Sequence, residues 1–112
     1  MSNWLIEIEN QLLVAKQAQE QNNAGKMRAS SRIIAGIALM EWQKNNPKIF
    51  FGDNYIRSLQ QCAVSNVVSV EVREAATRLS ARVSHDFVSP SIDPIGDAMI
   101  IVEFVKEQLK EG

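Results

Sequence analysis

Apolar residues in this chain recur every three or four positions, in stretches separated by short breaks rich in Asn, Gly and Pro. That period stacks apolar side chains on one side of an α-helix, whereas a half-buried strand needs strict alternation. The first stretch runs from about Trp4 to Gln21, with Trp4, Leu5, Ile8, Leu12 and Ala15 at helical spacing. Asn3 is its expected N-cap, because the side-chain oxygen can accept from a free N–H of the first turn. Asn22-Asn23-Ala24-Gly25 is the expected stop, since Asn and Gly tolerate the left-handed conformation that closes helices. A second helix is expected from about Lys26 to Lys44. Asn45-Asn46-Pro47 ends it, because Pro47 has no N–H and disfavours helical geometry at Asn46.

Lys48 to Gly52 reads as an irregular connector whose Ile49, Phe50 and Phe51 cover one end of the core rather than form a strand. Asp53 is the expected cap of a third helix of about three turns, with Tyr55, Ile56, Leu59 and Cys62 facing inward. Val64 to Val68 is ambiguous, since Val67-Val68 also suits extended chain. Ser69 caps a fourth helix expected to reach about Asp86, and Val88 to Ile92 forms a turn with Pro90. Asp93 then caps the last helix, with Pro94 in the first helical position and Asp97 near the positive end of the dipole, and this helix extends to about Lys110. Helices joined by short connections pack against their neighbours. The expected fold is therefore all-α, an antiparallel up-and-down bundle of four to five helices in a single domain over residues 1–112. The second helix carries Ala29, Ser30, Ser31, Ala35, Gly36 and Ala38, a surface without bulk that lets another helix approach closely, within the bundle or across a dimer.

Size and composition narrow the function classes. At 112 residues with 46% hydrophobic content the chain is an ordinary globular domain with room for one core. Its apolar runs are far too short to cross a bilayer, so no membrane partner is expected. The opening Met1-Ser2-Asn3-Trp4 has no basic segment and no cleavage site, which makes a cytoplasmic location the expectation. Cys62 is the only cysteine, which rules out an internal disulfide and a cysteine-rich zinc site. The net charge of −1 conceals a basic middle: residues 22–82 carry nine basic and four acidic side chains, while both flanks are acidic. Such a middle can attract RNA or a nucleotide, although its charges are spread over three helices.

Few residues can carry chemistry. Asn23-Ala24-Gly25-Lys26-Met27 lacks the upstream glycine, the hydroxyl after lysine and the preceding strand of a phosphate loop. One histidine and one cysteine on different helices leave no metal-ligand set, and no cofactor is indicated. Glu103, Lys106, Glu107 and Lys110 read as a solvated helix face.

Arg78 and His85 form the remaining constellation. Val72, Ala76, Leu79 and Val83 define the inner stripe of the fourth helix, and at about 100° per residue Arg78 and His85 fall within roughly 20° of each other, away from it. A plain structural role is available to both. His85 then sits at the negative end of the helix dipole, and Arg78 pairs with Glu74 one turn earlier. The chemical role is equally definite. Arg78 can hold a phosphate bidentately, with Arg82 as a second phosphate-binding candidate, and His85 can move a proton at neutral pH. Together Arg78 and His85 could assist attack of a ribose 2′-hydroxyl on the adjacent phosphodiester without a metal.

Arg78, then His85-Asp86-Phe87 after six intervening residues, resembles the Arg-x(4–6)-His motif of the HEPN superfamily and the aromatic two positions beyond it. The small-residue second helix, Ala29 to Leu39, is similar to that family's packing helix. The resemblance implies a helical bundle that dimerises across the motif-bearing surface. It also implies either a metal-independent ribonuclease, often a toxin paired with an antitoxin partner, or a non-catalytic binding relative. Leu79 stands where the family usually has a polar residue, and Phe87 where toxin members often have tyrosine. Those departures favour the non-catalytic branch, a homodimeric interaction protein. A ribonuclease using Arg78 and His85 is the alternative.

Overall fold

The computed structural model describes residues 3–81 and 91–111. Among them are five helices and no strand: α1 (Asn3–Glu20), α2 (Ala24–Asn45), α3 (Tyr55–Cys62), α4 (Val70–Ser80) and α5 (Pro94–Glu111). The fold is an all-α helical bundle, as the hydrophobic period predicts.

The breaks between helices follow local chemistry. Asn22 takes a left-handed φ of 57°, the only such non-glycine residue described. Its N–H bonds Gln19 O at 3.1 Å while Asn23 N–H reaches Ala18 O at 2.8 Å, so two carbonyls at the end of α1 are satisfied by the turn itself. Asn23 then caps α2, its side-chain oxygen accepting from Lys26 N at 3.1 Å. Ser69 caps α4 through Val72 N at 3.3 Å, and Asp93 caps α5 through Gly96 N at 3.0 Å, with Pro94 in the first helical position.

Several expectations are displaced, and α2 already includes Ala24 and Gly25, expected in the break before it. Asn3 is itself helical and so does not cap α1. Asn54 rather than Asp53 caps α3, accepting from Arg57 N at 2.8 Å, and the helix has only 8 residues. Its inner face is Ser58, Leu59 and Cys62, leaving Tyr55 and Ile56 39% and 46% exposed. Ser58 can be fully buried because its hydroxyl donates back to Asn54 O at 2.8 Å.

α2 lies at the centre and packs against each of the other four helices. Ser30, Ser31, Ala35, Gly36 and Ala38 are buried there, so its small residues serve close packing inside the bundle; Ala29 alone of the set is exposed. At Gly36 the approach is extreme, since a Cβ would lie 2.7 Å from Tyr55 Cγ. Trp42 closes one end of the core, edge-on to Phe104 with ring centres 5.3 Å apart and tilted against Phe51 at 5.7 Å. Gln43 fixes the connector that delivers Phe51, its side-chain oxygen accepting from Phe51 N at 2.7 Å and Gly52 N at 3.2 Å. Phe51 is buried and Ile49 half-buried, but Phe50 points outward and is 81% exposed, so only part of the connector covers the core.

Candidate functional site

Arg78 occupies the last turn of α4 and Asp97 the first turn of α5, and the two side chains meet. The guanidinium Nε lies 3.2 and 3.1 Å from the two carboxylate oxygens, and a terminal nitrogen is 2.7 Å from Oδ1. This is the two-pronged geometry in which arginine binds a carboxylate most strongly. Asp97 is only 7% exposed, and the buried hydroxyl of Ser91 also donates to it. Arg78 lies at the edge of the pair, its side chain 37% exposed. The hydrogen bonds from Arg78 to Asp97 push the guanidinium pKa up against a smaller opposing effect of burial; attraction to Asp97 and Glu74 adds to the rise.

Arg78 therefore does not pair with Glu74, as the local spacing suggests. Glu74 is solvated, while a carboxylate inside the α4–α5 interface needs a cation and takes the one within reach. Asp97 neighbours the inner face of α5 (Ala98 and Ile101 are fully buried), and that position is the signal in the sequence that it requires a partner.

α4 ends earlier than its apolar period suggests. Helical geometry stops at Ser80, and Ala81 is extended with ψ 146°. A residue of α2 sets this boundary. Arg32 donates from Nε to Leu79 O at 2.6 Å and from a terminal nitrogen to Ala81 O at 3.2 Å. A cation at the carbonyl end of a helix satisfies acceptors that have no partner within it. Burial, and to a smaller extent repulsion from Arg28, lowers the Arg32 pKa. The face shared by Arg78 and His85 presupposes unbroken helix between them, and this count does not carry past Ser80. Arg82, Val83, His85, Asp86, Phe87 and the expected turn around Pro90 lie outside the described residues. Leu79 is 2% exposed, on the inner stripe with Val72 and Ala76, as expected.

Elsewhere on the surface, a groove of ≈ 520 Å³ runs between the start of α4 and α5. Its floor is Met99, Ile100 and Phe104, and its rim carries Glu71, Glu103 and Glu107, so it presents carboxylates and no cation. Glu103 and Glu107 hold loose contacts of 3.4 and 3.9 Å with Lys106 and Lys110, the exposed pairs expected of a solvated face. Among the described residues, no buried side-chain polar atom lacks a hydrogen-bond partner, and no helix is long and apolar enough to cross a membrane. Comparison with protein-family models, curated proteins and solved structures finds no match to this chain.

Proposed function

We propose that this chain is a non-enzymatic, cytoplasmic interaction module that associates with a second copy of itself, a helical bundle related to the non-catalytic branch of the HEPN superfamily. The observation that carries this reading is the engagement of Arg78 by Asp97. A phosphate-binding arginine must present an unneutralised fork to its ligand. Here two edge nitrogens are committed to a nearly buried carboxylate that Ser91 also holds. A phosphate would have to displace that carboxylate or accept a guanidinium whose charge is already balanced. The acidic groove along α5 is equally poor at drawing in a polyanion. A surface that leaves Leu13, Val64, Val67 and Val70 more than half exposed supports protein contact instead.

The test is a metal-free RNA cleavage assay on the wild type and His85→Ala. The expected result is no cleavage above buffer by either protein. Cleavage by the wild type that disappears in His85→Ala would overturn the reading in favour of the ribonuclease, with Arg78, Arg82 and His85 as its working residues.

A further inference from the structure

We infer that two copies of this chain pair through the outer face of α1, antiparallel, about a two-fold axis passing between Leu12 and Leu13. The inference rests on the self-association reading above and assigns it a surface. The face of α1 turned to the core carries Trp4, Ile8, Ala15 and Ala18. At about 100° per residue, a second apolar set lies on the far side. Leu13 is 61% and Ile6 41% exposed there. Leu12, Leu13, Glu9 and Lys16 together line a shallow depression of ≈ 290 Å³, so the two leucines form a floor flanked along the helix by one anion and one cation.

That order of charges is self-complementary. With the axis midway between Leu12 and Leu13, which stand about 100° apart around the helix, Leu13 of each copy packs against Leu13 of the other on one side of the contact and the half-buried Leu12 against Leu12 on the other. Glu9 of each copy faces Lys16 of the other, one helical repeat along. The same operation generates both ion pairs, as a two-fold interface requires. A parallel arrangement would set Glu9 against Glu9 and Lys16 against Lys16, so the charges select the antiparallel one, as flanking charges do in paired helices. A contact of about three helical turns falls below the roughly 800 Å² per partner of a standard interface. The expected dimer is accordingly concentration-dependent in the micromolar range, and it lies on α1 instead of the Arg78-bearing surface across which the HEPN resemblance implies dimerisation.

Sedimentation equilibrium over a micromolar concentration series tests the assignment with Glu9→Lys, Lys16→Glu, the double exchange and Leu13→Glu. Each single charge reversal should weaken dimerisation by roughly tenfold or more, because like charges then face each other twice. The double exchange should restore it. Mixing the two single variants should give a heterodimer, since one copy then offers only lysines and the other only glutamates. Leu13→Glu should remain monomeric. These positions are on the outer face of α1, and retained helical circular dichroism would show each variant folded. A wild type that dimerises equally well with or without Lys16→Glu overturns the α1 surface and leaves self-association standing. A wild type that is monomeric throughout overturns both.

Discussion

Arg78 on α4 and Asp97 on α5 are joined across the helix interface by a bidentate ion pair whose closest approach is 2.7 Å. The two partners differ in what they would lose. Arg78 has solvent along one edge, whereas Asp97 is 7% exposed and depends on Arg78 and Ser91. Removing the arginine therefore strands a charge, while removing the carboxylate releases a cation into water.

Replacing Arg78 by Met, which keeps most of the stem, is expected to destabilise the fold by about 1–2 kcal/mol, the lower part of the range for a charged hydrogen bond because water reaches one side of the pair. The Arg78→Met/Asp97→Asn double variant should recover part of the loss, since an amide leaves no charge unpaired. Urea midpoints with unchanged slopes measure both. A single-variant change within about 0.5 kcal/mol would mean that the bridge contributes little.

At Gly36 the two-helix approach can be tested against a control in the same helix. A Cβ there meets Tyr55 Cγ at 2.7 Å and Cδ1 at 2.8 Å, so Gly36→Ala must push α3 from α2. The expected loss is about 1–3 kcal/mol, despite the better helix propensity of alanine. Gly25→Ala is expected to stabilise by up to about 1 kcal/mol, because its nearest neighbours lie 3.9 and 4.0 Å away and the gain in propensity is unopposed. Opposite signs in thermal or urea unfolding are the outcome to look for.

The features that the sequence revealed correctly are those settled within a few residues. Asn22, Ser69 and Asp93 end or begin helices through bonds that span three to five positions, so their side-chain chemistry is sufficient to place them. The choice between Asp53 and Asn54 is different, because both can cap and packing of α3 on α2 decides. The end of α4 is set by Arg32, separated from Leu79 by 47 positions, and a run of residues 70–86 contains nothing to announce it. The partner of Arg78 is hidden for the same reason. Local spacing offers Glu74, while burial of Asp97, which depends on how α5 docks, selects a contact 19 positions away. For the candidate site, the sequence thus identifies the unusual residues but not the company they keep.

Cys62 offers a prediction in which pH supplies the signal. Its side chain is fully buried, and burial pushes the thiol pKa up to about 12, well above the roughly 8.5 of an exposed cysteine. Below about pH 8.5 the thiol is protonated whether the chain is folded or unfolded, and its contribution to stability is fully present. Between that value and about 12, the unfolded chain releases the proton and the folded chain retains it, so stability falls as pH rises. The urea midpoint of the wild type should therefore decline from pH 8 to pH 10.5 more steeply than that of Cys62→Ala, with the two curves parallel below pH 8. Because the attacking species in thiol chemistry is the thiolate, labelling by a disulfide reagent at pH 8 should be slow in the folded protein and accelerate with urea as the chain opens. Rapid labelling without denaturant, or identical pH profiles for the wild type and Cys62→Ala, would place the thiol in contact with water rather than in the core.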